Sequence, residues 1–194
     1  MSDTQPERQS LRQLIRQRRK SLSQAEQQAA AQQLVTRFQE HPEIQGARRI
    51  ALYLANDGEL DPLPAIHWLW SQRKEVYLPV LHPFTPGHLL FLRYTATSPM
   101  TRNRYGIAEP ELDVQQVLPH SMLDLICTPL VAFDAEGNRL GMGGGYYDRT
   151  LAVNIRSVFV ACQEAAHHMG KGGRIINIGS TNADRIPMAG GSVY

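Results

Sequence analysis

Strands alternating with helices predict an α/β protein with a mostly parallel central sheet flanked by helices. Three observations carry this expectation. Apolar runs at residues 50–54, 76–80 and 123–131 read as buried strands, with a helical stretch at 62–72 between the first two. A loop rich in glycine, Gly-Asn-Arg-Leu-Gly-Met-Gly-Gly-Gly-Tyr-Tyr-Asp-Arg at 137–149, follows the most apolar run. Ligands of open α/β sheets sit beyond the carboxyl ends of strands, so this loop falls where a site is expected.

Residues 7–20 read as a helix: Leu11 and Ile15 are four apart, and Arg12, Arg16 and Arg19 make a basic face. Ser23 and Glu26 have capping-box spacing and open a second helix, which carries Ala29, Ala30, Leu34 and Phe38 and stops near His41-Pro42. Ile50 to Leu54 is the first strand, and Asn56-Asp57-Gly58 a turn. Pro62 to Gln72 is a helix with Ile66, Leu69 and Trp70 facing inward. Val76 to Val80 and Leu89 to Tyr94 are strands, the second entered through Pro86-Gly87. Residues 95–121, polar and dotted with proline, read as a long surface excursion. Residues 150–168 read as a helix broken by Gly170 to Gly173, and Arg174 to Ile178 as a strand; the last sixteen residues are expected to be loosely held.

The chain has 194 residues, enough for one domain with or without an appendage, and is 42% hydrophobic, enough for an ordinary core. A net charge of +2 gives no reason to expect nucleic acid as a partner. The start has no apolar leader, and no apolar run approaches the roughly 20 residues a membrane helix needs, so a soluble cytoplasmic protein with no membrane partner is expected. Cys127 and Cys162 lie in apolar sequence and form no CxxC pair, so buried free thiols are expected. The seven histidines show no metal-ligand spacing.

Three stretches can carry chemistry. Gly141, Gly143, Gly144 and Gly145 fall in five positions, between Arg139 and Arg149. Such a loop can turn its amides inward on an anion, with arginine adding charge suited to phosphate. Tyr146 and Tyr147 would wall one side. The spacing matches neither GxGxxG nor GxxxxGK[ST], so a plain tight turn is the alternative. Asp57-Gly58-Glu59-Leu60-Asp61 could accept hydrogen bonds from a ligand's N–H groups; a solvated acidic turn at a helix start is the ordinary reading. Arg8, Arg12, Arg16, Arg18 and Arg19 are ordinarily a solvated face, and a phosphate clamp is the sharper alternative.

From about residue 7 to 150 the chain resembles the 5-formyltetrahydrofolate cyclo-ligase family. The resemblance rests on Ser-Leu-Arg at 10–12, Asp-Gly-Glu-Leu-Asp at 57–61, Thr-Pro-Leu-Val-Ala-Phe-Asp at 128–134 and the glycine loop, in that order. It implies a reaction: with Mg²⁺ and ATP, 5-formyltetrahydrofolate becomes 5,10-methenyltetrahydrofolate, and ADP and phosphate are released. It also implies roles. Arg8, Gln9, Ser10, Leu11 and Arg12 would touch ATP, although the family often has lysine where Arg8 stands. Arg139, Leu140, Gly141, Met142, Gly143, Gly144, Gly145, Tyr146 and Tyr147 would form the main ATP loop, with Arg139 and Tyr146 catalytic. Met142, Gly143, Gly144, Gly145 and Tyr146 would also border the folate, and Leu54 and Glu59 would contact its pterin end. Asp148 would bind Mg²⁺. A monomer acting on small molecules is expected.

Residues 149–194 resemble a different family, the short-chain dehydrogenases, through Asp-Arg-Thr-Leu-Ala-Val-Asn at 148–154, Gly-Gly-Arg-Ile-Ile-Asn-Ile-Gly-Ser at 172–180 and Gly-Ser-Val-Tyr at 191–194. There the counterparts of Asn154, Ser180 and Tyr194 are catalytic. Neither the lysine four residues past that tyrosine nor a dinucleotide fingerprint is in the sequence, so no hydride transfer is expected. The Trp-Asp-Ile-Pro-Leu-Pro-like segment that ends the cyclo-ligases, with its second acid near the metal, is absent too. The sequence thus reads as a cyclo-ligase-like unit, 1–150, joined near 148–152 to an appendage, 151–194. A non-catalytic nucleotide- or folate-binding protein is the alternative function.

Overall fold

Period-two burial along the strands decides the architecture. Ile50 and Leu52 pack into one apolar cluster while Ala51 between them packs into another, and Val76, Leu78 and Tyr77 divide in the same way. A sheet whose successive residues are buried on both faces must be covered on both faces. The computed structural model describes residues 5–134 and 139–150. Its helices are α1 (Gln5–Lys20), α2 (Gln24–Glu40), α3 (Pro42–Gly46) and α4 (Leu63–Ser71). Its strands are β1 (Arg49–Ala51), β2 (Glu75–Leu81), β3 (Leu89–Tyr94), β4 (Met100–Arg102), β5 (Ala108–Pro110), β6 (Val117–Leu118), β7 (Leu125–Ile126), β8 (Ala132–Phe133) and β9 (Arg139–Leu140).

The central sheet has the order β6-β3-β2-β1-β7. β1 runs parallel to β2 and β7, while β3 runs antiparallel to β2 and β6. The parallel part is therefore the half next to the crossover helix α4, and the sheet as a whole is mixed. Leu34 and Phe38 of α2 and Ala65, Ile66 and Leu69 of α4 cover one face. The capping box is present: Ser23 Oγ accepts from Glu26 N at 3.2 Å, and Ser23 N donates to Glu26 Oε2 at 2.9 Å. Trp70 is half-buried, its Nε1 donating to the Tyr94 carbonyl at 3.1 Å.

Two expectations need correction. The first and last parallel strands are shorter than their apolar runs. Past the ends of β1 and β7 a single hydrogen bond continues on each, Leu52 N to Tyr77 O and Cys127 N to Ala51 O, before the chain turns toward the site. Residues 95–121 are largely exposed, as expected, but they are not irregular. β4 and β5 form a hairpin that returns against β2, Glu109 is buried, and β6 completes the sheet edge. Polar composition hid this, because the buried polar groups satisfy one another. α2 stops at Glu40, as the His41-Pro42 pair led one to expect, and the short α3 fills the link that follows. The helix at 150–168, the strand at 174–178 and Cys162 lie outside the described residues. Among the described residues no helix is long and apolar enough to cross a membrane. Cys127 is a buried free thiol, which burial pushes up to about 12.

Candidate functional site

β1, β2 and β7 all point their carboxyl ends at one cavity of about 730 Å³. One wall is the acidic turn after β1. Asp57 has φ +54 and Gly58 φ +75, a tight reversal that asparagine, aspartate and glycine tolerate best. The turn is not solvated. Arg16 Nε lies 2.5 Å from Asp57 Oδ2, Lys20 Nζ pairs with Oδ1, and Arg19 donates twice to the Asp57 carbonyl at 2.9 and 3.1 Å. Arg19 is only 3% exposed. The hydrogen bond from Arg16, aided by Lys20 and opposed by burial, holds the Asp57 carboxyl well below the usual carboxylate range. The basic stripe of α1 is thus neither a free face nor, at Arg16 and Arg19, a phosphate clamp: it docks the helix.

Two residues on, Glu59 faces the cavity. Its Oε2 accepts from Asn56 N at 3.1 Å, and Arg19 is 4.0 Å from Oε1. Burial outweighs both and pushes the Glu59 carboxyl above its ordinary value. Leu54 borders the same space, packed against the main core.

The opposite wall is the glycine loop. Docking α1 brings Arg12 to it: Arg12 Nε donates to the Gly141 carbonyl at 2.8 Å. Arg139 Nη1 donates to Thr128 Oγ1 at 2.7 Å, and its Nη2 pairs with the exposed carboxylate of Asp148. Arg149 reaches back to the carbonyls of Gly144 and, at 3.2 Å, Gly87, and lies over the Tyr146 ring. Gly143 and Gly145 have φ of +96 and +64, the positive values that the loop's turns need. Tyr147 packs on Ala51, Tyr77 and Phe91, covering the second sheet face. Burial pushes its phenol up, and its hydroxyl has no hydrogen-bond partner among the described residues. Tyr146 shares a hydroxyl–hydroxyl hydrogen bond with Tyr105 (2.7 Å between oxygens) and accepts one from Arg104, and the two hold its phenol below the ordinary value.

Most residues singled out in the sequence meet here. Arg8, Arg12, Leu54, Glu59 and the run Arg139, Leu140, Gly141, Met142, Gly143, Gly144, Gly145, Tyr146, Tyr147 and Asp148 all border the cavity. Gln9, Ser10 and Leu11 do not; Ser10 Oγ donates to the Pro6 carbonyl of its own helix at 3.1 Å. Sequence reasoning missed Asn103, Tyr105, Ile107 and Glu109, which the β4–β5 hairpin delivers to the rim. The turn residues Asn103 to Gly106 between two short runs were the available signal. Among the described residues no three His, Cys, Asp or Glu side chains gather as a metal cage. Among the described residues that border the loop, Asp148 offers an exposed carboxylate.

Fold and cavity together define an α/β protein with an arginine-rich small-molecule cavity at the strand ends. Comparison with known proteins makes this particular. The model of the 5-formyltetrahydrofolate cyclo-ligase family matches residues 4–166, and the chain belongs to that family. It is 55% identical over 138 residues to the 5-formyltetrahydrofolate cyclo-ligase of Escherichia coli K12, covering 71% of this chain and 76% of that one. The Haemophilus influenzae cyclo-ligase is 53% identical over 144 residues, 74% and 77% of the two chains. The NMR structure of Aquifex aeolicus 5,10-methenyltetrahydrofolate synthetase superposes with a TM-score of 0.64 at 30% identity, over 75% of this chain and 72% of that one. A Mycoplasma pneumoniae 5,10-methenyltetrahydrofolate synthetase shares the fold, with a TM-score of 0.57 at 23% identity, over 75% and 77%. A short chain dehydrogenase model matches residues 142–194. The two family matches overlap across 142–166, a span that includes the expected junction.

Proposed function

We propose that the protein converts 5-formyltetrahydrofolate to 5,10-methenyltetrahydrofolate, with ATP becoming ADP and phosphate. The observation that carries this is the pairing of the two walls: an arginine-braced glycine loop faces a partly buried carboxylate, Glu59, across one cavity. One wall suits phosphate and the other the N–H groups of a pterin. A formamide oxygen is a poor leaving group. Moving the γ-phosphoryl group onto it makes a good one, N10 attacks the activated carbon, and phosphate departs as the ring closes. The chain need only position two ligands and offset phosphoryl charge.

In this reading Arg12 and Arg8 steady the nucleotide from α1, and Arg139 meets the transferring phosphoryl group. Tyr146, its phenol held by Arg104 and Tyr105, closes the loop over the reacting groups. Mg²⁺ fits the donor set as an ion held by Asp148 and the nucleotide's own phosphates, since magnesium sites commonly use one or two carboxylates plus substrate oxygens. When bound it would neutralise phosphate charge. A cytoplasmic monomer, with residues 1–150 as the catalytic unit and 151–194 as an appendage, completes the proposal.

The dehydrogenase match over 142–194 favours a second reading, a protein that binds nucleotide or folate without turnover. One assay decides. Protein, Mg-ATP and 5-formyltetrahydrofolate are mixed, and methenyltetrahydrofolate is followed by its near-ultraviolet absorbance. Product formation that Arg139→Ala abolishes supports the enzyme. Calorimetric binding of ATP without product supports the second reading.

A further inference from the structure

Glu109 is a buried carboxylate with a division of labour between its two oxygens. The residue is 8% exposed, in the middle of β5, yet borders the cavity. Its Oε2 takes both of its hydrogen bonds, from Leu81 N at 3.2 Å and Asn103 Nδ2 at 3.0 Å. Leu81 ends β2, so this oxygen ties the hairpin to the sheet at the ligand end. Oε1 has no donor from the described residues, and none of their cations pairs with the group. Burying a carboxylate without a counter-charge is costly, and a glutamine oxygen would make the same two bonds without that cost. The charge and the second oxygen are therefore unexplained by the hairpin alone.

We propose that Glu109 is a second specificity carboxylate of the cavity. Its Oε1 accepts a hydrogen bond from an N–H of the bound heterocyclic substrate that Glu59 does not take. The proposal rests on the reading of the cavity as a folate site. A ligand flanked by two carboxylates must present N–H donors in two directions, which a reduced pteridine joined to an anilinic nitrogen does.

Glu109→Gln separates the two roles within one side chain. The amide oxygen replaces Oε2 toward Leu81 and Asn103, and the amide NH₂ then meets the ligand's N–H where an acceptor stood. Equilibrium binding of 5-formyltetrahydrofolate, binding of ATP, and thermal melting are measured for wild type and variant, with wild-type turnover assayed separately. The expected result is a melt at or above that of wild type, unchanged ATP affinity and folate affinity at least about tenfold weaker, because the site's polar group then faces a donor with a donor. Wild-type folate affinity in the variant overturns the proposal. So does a variant that melts well below wild type, since the carboxylate would then be serving the hairpin itself. A wild type that binds folate without turnover defeats the proposed reaction and leaves this test intact; a wild type that binds no folate defeats both.

Discussion

The two walls of the cavity are held in opposite ways. The acidic turn is fixed by partners that bury it: Asp57 among Arg16, Arg19 and Lys20, and Glu59 beneath them. The glycine loop is held mainly by arginines on backbone carbonyls and one exposed carboxylate, with Tyr147 as its apolar anchor. The first wall is a finished structure in which the Asp57 charge is already paired and Glu59 is left to face the cavity. The second keeps guanidinium N–H groups available at the cavity rim, where an anionic ligand can recruit them. A site that takes one nearly neutral heterocycle and one polyphosphate calls for this asymmetry.

Removing Asp57 should break the finished wall most severely. Asp57→Ala leaves the buried Arg19 without its carboxylate, and is expected to cost about 3 kcal/mol of unfolding free energy. Urea unfolding checks this, and a loss under about 1 kcal/mol would mean that the carbonyl bonds alone hold Arg19. The acid side gives a signed companion test. A folded carboxyl held below its ordinary 3.8 adds stability at neutral pH, lost as pH falls below that value. The stability gap between wild type and Asp57→Asn should accordingly close below about pH 4.

Arg139→Ala tests the other wall, where function should fail before the fold does. We expect kcat to drop about 10²–10³-fold, the scale of losing one charge-stabilising donor, with a melt close to wild type. Stopped-flow turnover and calorimetry measure the two; a collapse of the melt with retained kcat would reverse the roles of the walls.

Gly145→Ala is smaller. The methyl forces a residue at φ +64 and approaches Arg149 Nη1 to 3.1 Å, so about 1–2 kcal/mol of loop stability should be lost. Weaker ATP binding with a smaller loss of folate binding is the expected pattern.

The mildest change is Glu59→Gln. Burial raises this carboxyl, so the charged form opposes folding once pH exceeds the ordinary 4.5. The amide removes that opposition, and the melt at neutral pH should rise while folate binding weakens. Equal melts for both proteins would show that Glu59 is not strained.

Much of this was legible in the chain. Ser23 and Glu26 announced α2, and the alternation within 49–52 and 75–81 announced a two-faced sheet, because capping and pleat geometry act over a few residues. The glycine spacing and its arginines marked one wall of the site, since backbone freedom and fixed charge are properties of the residues themselves. The acid turn was visible but misread: nothing local says that Asp57 will meet three cations from a helix 37 to 41 positions away. The hairpin was hidden for a related reason. Asn103 and Glu109 look like solvent residues until each finds the other, and their burial is affordable only once Leu81 supplies a third group. Sequence determined which segments could be helix, strand and anion loop. Only the tertiary structure decided which charges cancel, and therefore which remain to bind a ligand, because pairing across long separations depends on where the sheet carries each turn.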